Sequence, residues 1–280
     1  MMTFDIKDLF VNIPIKETLT ITKTLLSQYS NEQITKQIIT IPEIILQQNY
    51  FSFQDNIYQP AKGISMGSPI SNTIAEIFLQ NLGNIHLKQL LDTETIVLYT
   101  RYISSILIIY NTKHTHPETI HNHMNKIHPK LQFTPTHKHN NSISFLDLLI
   151  IQNPPKIEID IFRKLTTTTD TTINFTSNHS TEHKIAAYRF LINRMMSLPL
   201  TVERRHVEWQ KIITVARNKS FLLHLIAKLK THIQHKTHMT KDDNNKKWAT
   251  FTYYSPKIRK ITNLFKQPNK NIAFKSTNTI

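Results

Sequence analysis

Glycine is scarce in this chain, which contains three glycines among 280 residues. Two of them, Gly63 and Gly67, lie four residues apart and are followed by Ser68 and Pro69. Glycine is needed where the backbone takes a positive φ angle or must approach another group closely. The segment therefore predicts a tight loop, with Ser68 and Pro69 starting a helix that Gly83 closes.

The charge balance of the chain favours a polyanionic partner. Lysine and arginine total 34 against 19 acidic residues, which leaves a formal net charge of +15. A surplus of this size is typical of proteins that bind the phosphates of RNA or DNA. The simpler alternative is a solubilising charge, or a codon bias toward lysine, asparagine, isoleucine and threonine. On charge alone we weigh nucleic acid above that alternative.

Composition also disfavours several classes of protein. The chain has no cysteine, which excludes disulfides and thiolate metal sites and favours an intracellular protein, nuclear or cytoplasmic. No apolar run reaches the roughly 18 residues that a membrane span needs, so no membrane association is expected. The first residues lack the basic stretch and apolar segment of a secretory signal. A hydrophobic content of 39% is typical of a folded globular chain.

Residue periodicity predicts both strands and helices, with helices dominating after residue 163, which we expect to form an α+β fold. Alternating patterns predict strands or hairpins at 4–11, 50–58, 96–110, 131–134, 144–151, 157–162, 248–254 and 272–274. Helical spacing predicts helices at 15–27, 31–48, 69–82, 117–127, 181–197, 201–218 and 220–235. A threonine-rich stretch and a charged, polar gap predict domain borders, which divide the chain into 1–165, 166–240 and 241–280.

Two segments are candidates for chemistry. Nucleotidyl transfer uses two divalent ions about 3.5–4 Å apart, and magnesium prefers oxygen ligands, so the protein must supply carboxylates. Asp5 lies in a predicted strand, although an isolated acid at a strand end more often caps or is solvated. The loop from Gly63 to Pro69 precedes a helix whose first N–H groups can meet phosphate or bases. A plain turn with a well-capped helix explains that loop equally well.

Motifs spread over nearly the whole chain resemble one family. They are, in order, Phe4-Asp5, Leu9-Phe10, Asn12-Ile13-Pro14, Met66-Gly67-Ser68-Pro69-Ile70-Ser71, Arg101-Tyr102, Ile127-His128-Pro129, Gln132-Phe133, Phe145-Leu146-Asp147, Phe162-Arg163-Lys164, Ser177-Asn178-His179 and Tyr253-Tyr254-Ser255-Pro256. Each motif alone is unspecific, but their order and spacing together are specific. On these motifs the chain resembles the reverse transcriptases of Penelope-like retroelements, which are RNA-directed DNA polymerases.

The resemblance implies an α+β fold, with an antiparallel polymerase palm sheet packed by helices, without fingers, at 1–165. A thumb-like helical region at 166–240 and a small basic connector at 241–280 are implied to follow. It implies magnesium as cofactor, with Asp5 as the motif A ligand helped by the Ile6 carbonyl. It also implies that Phe10 is the gate that rejects a ribose 2′-hydroxyl. The other residues implied to contact template or incoming nucleotide are Gly63, Met66, Gly67, Ser68, Pro69, Arg101 and Tyr102. The arginines implied to grip nucleic acid are Arg189, Arg194, Arg204 and Arg205, and a solvated helix surface explains any single one equally well.

The chain departs from the family at the positions that matter most for chemistry. Ser104 and Ser105 stand where the family has the two catalytic aspartates of motif C. Losing one preorganised electrostatic group typically costs about 10²–10³ in rate, and losing a metal ion costs more. A Ser-Ser pair suits a tight turn, so the hairpin is expected to survive. Relative to the family, the fingers strands that hold the triphosphate and a terminal GIY-YIG endonuclease are expected to be missing.

These observations predict a degenerate reverse transcriptase with little or no catalysis. Its expected partners are an RNA or DNA template-primer and deoxynucleoside triphosphates. The alternatives are a non-catalytic basic nucleic-acid-binding protein and a translated relic without function. The relic hypothesis expects apolar palm surface to be exposed, because the fingers that would cover it are missing. Restoring both aspartates is expected to recover little primer extension while the triphosphate-binding strands are absent.

Overall fold

The computed structural model describes residues 1–164, 172–236, 247–253, 255, 257–263 and 270–276. The chain divides into two compact units, residues 1–157 and residues 158–280. The predicted borders after residues 165 and 240 lie outside the described residues and stay predictions. Among the described residues, no helix combines the length and the hydropathy required to cross a bilayer.

Unit one, residues 1–157, combines a central sheet with helices and two further hairpins. Its strands are β1 (Met2–Ile6), β2 (Phe51–Phe53), β3 (Asn56–Tyr58), β4 (Ile96–Tyr102), β5 (Ser105–Tyr110), β6 (Phe133–His137), β7 (Ser142–Phe145) and β8 (Leu148–Asn153). Its helices are α1 (Leu9–Asn12), α2 (Ile15–Leu26), α3 (Glu32–Gln47), α4 (Ser71–His86), α5 (Lys88–Asp92) and α6 (Pro117–Lys126). The strand β9 (Lys156–Ile161) crosses the boundary in sequence between the two units.

The central sheet of unit one has the strand order β4-β5-β1-β6, and every neighbouring pair is antiparallel. Alternate residues of a strand point to opposite faces, so one face of β1 carries Phe4 and Ile6. Both side chains are buried in one cluster with Ile74 and Phe78 of α4 and Met124 of α6. Full burial of such a side chain contributes about 1.5–3 kcal/mol, so the helices hold this face closed. On the other face, Leu107 of β5 is buried with Ile143 and Ile150 of the β7–β8 hairpin, whereas Asp5 is exposed.

Two predicted elements near the start of the chain have different bounds in the structure. The strand predicted over 4–11 ends at Ile6, because Asp8 takes a left-handed conformation and the chain then turns into α1. The helix predicted over 69–82 runs from Ser71 to His86 instead. Gly83 does not close it, since its carbonyl accepts a hydrogen bond from the Leu87 N–H at 3.0 Å. Leu87 is buried in the core, and this packing outweighs the low helix propensity of glycine.

Two strand predictions were also wrong in detail. The single strand predicted over 144–151 is the hairpin β7–β8, because Leu146 takes a positive φ of 55° and reverses the chain. The strand predicted at 131–134 begins at Phe133 and continues to His137, which pairs with Met2 of β1. In both cases pairing with another strand decided the bounds.

An apolar surface is exposed on α3 and on the β2–β3 hairpin. Large apolar side chains with more than a third of their surface exposed include Ile34, Ile38, Ile41, Ile45, Phe51, Phe53 and Ile57. The relic hypothesis expects such a surface, and a surface that packs against another domain or protein has the same character.

Unit two, residues 158–280, is mainly helical. Its helices are α7 (Thr181–Ser197), α8 (Val202–Asn218), α9 (Leu223–Lys236) and α10 (Ile258–Asn263), and its further strands are β10 (Lys247–Tyr253) and β11 (Lys270–Ser276). The side chains of Ser180 and Thr201 cap α7 and α8, so the predicted starts of both helices are confirmed. Tyr188, Ile212 and Ile226, one from each long helix, meet in a common core.

Candidate functional site

The predicted hairpin at 96–110 forms and lies beside the first strand. Ile103 takes a positive φ of 52° at the turn between β4 and β5. The backbone N–H of Ile6 donates to the Ser104 carbonyl at 3.0 Å. Asp5 pairs directly with Ser105 across the β1–β5 ladder. The tertiary structure therefore brings the predicted metal ligand against both serines, although about a hundred positions of sequence separate them.

A line of polar side chains crosses the sheet at this point. Ser105 lies opposite Tyr102 on one side and Asp5 on the other, and Asp5 in turn lies opposite Thr134. Directly opposed residues of antiparallel strands point to the same face, so these four side chains share the face that the helical core leaves uncovered. We call Tyr102, Ser105, Asp5 and Thr134 the polar row. Tyr102 is 62% exposed, and Asp5 and Thr134 are exposed as well.

The donor set of the polar row does not fit a pair of magnesium ions. Asp5 contributes its single carboxylate, and its two cross-strand neighbours, Ser105 and Thr134, contribute hydroxyls. In the part of the chain that the structure describes, no group of three His, Cys, Asp or Glu side chains could hold a metal ion. Two hard divalent cations held close together need several anionic oxygen ligands.

Arg101, predicted to contact template or nucleotide, is engaged inside unit one. Its guanidinium donates two hydrogen bonds to the Glu76 carboxylate, at 2.6 and 2.8 Å, and a third to the Ile103 carbonyl at 3.3 Å. The Arg101 side chain is 7% exposed. Burial raises the pKa of the neighbouring Tyr99, and Arg101 acts on that pKa in the opposite direction. Arg101 thus ties the β4–β5 turn to α4, and its contact with nucleic acid stays a prediction.

The glycine loop approaches α1 through Gly63. Gly63 has a φ of 73°, and the Ile64 N–H donates to the Phe10 carbonyl at 2.8 Å. A Cβ at Gly63 would lie 2.4 Å from the Val11 carbonyl oxygen. Gly67 has no such neighbour, because a Cβ there would meet no atom within 4 Å. Gly63 is therefore required where the loop approaches the backbone of α1, whereas a side chain at Gly67 would have open space around it.

The remaining predicted residues of this region divide between surface and core. Met66, Gly67 and Pro69 are exposed, and Ser68 is half-buried. Phe10 is partly buried and packs against the apolar core of unit one. The roles implied for these side chains stay predictions.

The substitution Gly63→Ala is expected to lower the free energy of unfolding of unit one by at least about 2 kcal/mol. An L-residue pays about 1–2 kcal/mol for a left-handed backbone, and the overlap with the Val11 carbonyl adds to that. Urea unfolding followed by circular dichroism measures the change. Gly67→Ala is the matched control and should change stability by less than about 0.5 kcal/mol. Equal effects of the two substitutions would contradict the assigned role of Gly63.

The arginines predicted to grip nucleic acid differ in their surroundings. Arg204 donates to Glu158 at 2.9 Å and lies 3.5 Å from Asp160, so its charge is paired within unit two. Arg205 donates to the Leu200 carbonyl at 3.4 Å. Arg194 is half-buried on α7, and Arg189 is exposed. Of these four, Arg189 presents a charged side chain most openly to solvent.

Sequence reasoning missed a buried ion pair in unit two. Glu208 of α8 is 3% exposed and accepts a hydrogen bond from the Arg163 guanidinium. A sequence signal existed, because Glu208 lies four positions after Arg204 and on the same helical face as the buried Ile212. An acid on a buried face predicts a paired partner, and here Arg163 supplies the charge.

The fold is similar to that of one solved telomerase. The telomerase from Candida albicans, in complex with a TWJ fragment of telomeric RNA, matches with a TM-score of 0.56 and 13% identity, over 84% of this chain and 43% of that chain. The chain has a reverse-transcriptase-like fold. The α+β prediction of an antiparallel palm sheet with helices and a thumb-like region is thereby confirmed at the level of the fold.

Two telomerase structures from Candida tropicalis match more weakly, each with a TM-score of 0.44. One is 16% identical and covers 57% of this chain and 35% of its own length. The other is 14% identical and covers 84% of this chain and 42% of its own length. This chain thus spans less than half the length of each of these telomerases. No protein-family model and no curated protein matches the sequence.

Proposed function

We propose that this chain is the palm and thumb of a reverse transcriptase of the Penelope-like lineage, which binds a template-primer but polymerises little or not at all. The observation that supports this most is the pairing of Asp5 with Ser105 on the open face of a palm-like sheet. In this proposal, Ser104 and Ser105 stand at the positions of the motif C aspartates, and the pairing of Ser105 with Asp5 supports that assignment. A nucleic-acid partner also follows from the net charge of +15.

The polar row can bind nucleic acid without a metal ion. The hydroxyls of Tyr102, Ser105 and Thr134 donate and accept hydrogen bonds, and phosphate and sugar oxygens are suitable partners for them. The row carries one negative charge, on Asp5, and lacks the two further carboxylates that would neutralise a metal pair. Because the rate of nucleotidyl transfer depends on that pair, we expect binding to persist and polymerisation to be lost.

The expected ligands are an RNA or DNA template-primer and deoxynucleoside triphosphates. In this proposal, Phe10 and the exposed part of the loop, at Met66 and Gly67, lie beside the nucleotide. An intracellular location, nuclear or cytoplasmic, accompanies the proposal, since nucleic acid is the partner. The affinity of the chain for a duplex is expected to fall as the salt concentration rises. The slope of log affinity against log salt concentration should be about −0.9 for each phosphate that the protein neutralises.

The substitution Asp5→Asn tests the proposal directly. Without a metal ion, the Asp5 carboxylate repels phosphate, so its removal should tighten template-primer binding by up to about fivefold, the size of a repulsion of about 1 kcal/mol at 4 Å in water. Fluorescence anisotropy of a labelled RNA–DNA template-primer measures the affinity. Asp92→Asn, an exposed change on α5, is the control and should leave affinity unchanged.

The original, unsubstituted protein should also be tested for primer extension in the presence of magnesium. We expect no product above the background of a template-free reaction. Magnesium-dependent extension that Asp5→Asn abolishes would overturn the inactive assignment while supporting the polymerase lineage. No template-primer binding at low salt would overturn the nucleic-acid partner itself.

A further inference from the structure

The helix α3 carries two rows of side chains, and unit one buries only one of them. The members of the first row are buried or half-buried, and they are Thr35, Ile39, Pro42 and Leu46. One position before each of them lies an isoleucine that is 38–60% exposed, and these are Ile34, Ile38, Ile41 and Ile45. We call this second set the isoleucine row. The fold of unit one therefore leaves it without a partner helix of its own.

The isoleucine row has the spacing of a helix–helix interface. Its members follow one another by four, three and four positions, which is the spacing of the apolar positions in a coiled coil. The charged residues of α3 are Glu32, Lys36 and Glu43. Each lies two positions from an isoleucine of the row, and two positions on a helix lead to nearly the opposite side. The row is therefore an uncharged surface that suits another apolar helix.

The β2–β3 hairpin extends this surface from the end of α3. The Gln59 side-chain amide donates to the Gln47 carbonyl at 2.8 Å, so the base of the hairpin is joined to the last turn of α3. Phe51 and Tyr58 stack across the hairpin with ring centroids 5.6 Å apart. Phe53 lies two positions after Phe51 and so on the same face of its strand. These three aromatic side chains are 43–59% exposed.

The exposed apolar area matches what a homodimer needs. At about 200 Å² for a whole aromatic side chain and about 100 Å² for an isoleucine, the exposed parts of the isoleucine row and the three hairpin aromatics total roughly 500 Å². A standard interface buries about 800 Å² on each partner, and about 65% of a homodimer interface is apolar, which is also about 500 Å². The surface is therefore large enough to hold two copies together.

The charge of the surface favours a second copy over a polyanion. A polyanionic or acidic partner is recognised by cations, and the isoleucine row and the hairpin aromatics supply none. A twofold axis places the same surface on both sides of an interface, so a charged face repels itself and an uncharged face does not. For a chain of net charge +15, an uncharged face is where two copies meet with least repulsion. We propose that two copies of this chain pair through this surface, with α3 packed against α3 of the other copy.

The test measures the mass of the full chain in solution by sedimentation velocity, at concentrations from about 1 to about 100 µM. The protein is treated with nuclease and kept in about 0.5 M salt, because salt weakens bridging through nucleic acid while apolar contacts persist. Ile38→Lys with Ile41→Lys places two charges in the isoleucine row. Ile85→Lys with Ile157→Lys is the matched control, since both isoleucines are exposed in unit one on other elements, α4 and β9.

We expect the original protein to sediment with twice the mass of one chain in the upper part of that range. The row variant should raise the dissociation constant of the dimer by at least about a hundredfold, because each interface would hold four unpaired cations. The control variant should change it by less than about threefold. A monomeric original protein over the whole range, or equal losses in the two lysine variants, would overturn the proposal.

A charge-swapped variant tests whether the surface meets its own copy. Ile38→Glu with Ile41→Glu should be monomeric alone, and mixing it with the row lysine variant should restore a dimer, because opposite charges then face each other across the interface. No dimer in the mixture would contradict pairing of like surfaces. These measurements need no nucleic acid, so this proposal and the proposed function can fail separately.

A thiol probe covers the case in which a charged variant does not fold by circular dichroism. The chain has no cysteine, so Gln37→Cys introduces a single thiol beside the isoleucine row. A short bismaleimide should join two copies through that thiol. Gln80→Cys, at an exposed position on α4, is the control and should give little cross-linked product. Equal cross-linking of the two cysteine variants would count against the surface.

Discussion

The double substitution Ser104→Asp and Ser105→Asp is expected to make the stability of unit one depend on magnesium. It places a carboxylate directly opposite Asp5, where like charges destabilise a strand pair by about 0.2–1 kcal/mol. In a chelator the melting temperature should therefore fall slightly below that of the original protein. In magnesium it should rise by several degrees, because a ligand at about 100 times its Kd stabilises by about 2.7 kcal/mol. Calorimetry with a chelator and with magnesium measures both effects.

The matched control for this prediction is Thr73→Asp with Thr119→Asp. Both positions are exposed and lie on helices of unit one, so the control adds the same charge away from the polar row. Its melting temperature should respond to magnesium as the original protein does. A double variant at 104 and 105 that responds no more than this control would show that the polar row is not the remnant of a metal site. Because the measurement is of stability, it needs no enzymatic activity.

The second large effect is expected from Arg163→Ala in unit two. Removing one partner of a buried ion pair typically costs about 3–5 kcal/mol, since the remaining charge has no compensation. The substitution would leave the charge of Glu208, whose side chain is 3% exposed, buried and uncompensated. Both tryptophans of the chain, Trp209 and Trp248, belong to unit two, so their fluorescence in a urea titration follows the unfolding of this unit.

The control is the double substitution Arg163→Met with Glu208→Leu. Replacing both partners of a buried pair by apolar side chains is often neutral or stabilising, because neither charge then needs to be desolvated. We expect the double variant to recover most of the stability that Arg163→Ala loses. A double variant as unstable as the single one would mean that Arg163 acts through packing rather than through its charge.

Local patterns were sufficient for most of the secondary structure. Helices were predicted to start near residues 31, 181 and 201. In the structure, Asn31, Ser180 and Thr201 cap α3, α7 and α8 there, and each accepts a hydrogen bond from a backbone N–H three residues on. The errors arose where packing outweighed local preference. Gly83 lies within α4 although glycine is a common helix end, because the residues around it reach the core.

The candidate site was only partly visible in the sequence. Asp5 and the serine pair were identified as separate elements, and their shared ladder required the fold. The pairing of Arg101 with Glu76 was not predictable, because α4 and β4 meet only through the tertiary structure.

The sequence by itself determined the α+β class, the hairpin that carries Ser104 and Ser105, and the shortage of carboxylates there. These properties are local, since periodicity, turn preference and residue chemistry act over a few neighbouring positions. Only the tertiary structure decided that Asp5 faces Ser105 and that Arg101 and Arg204 are paired with acids of their own units. Those contacts join residues far apart in the chain, and burial of the core selects them.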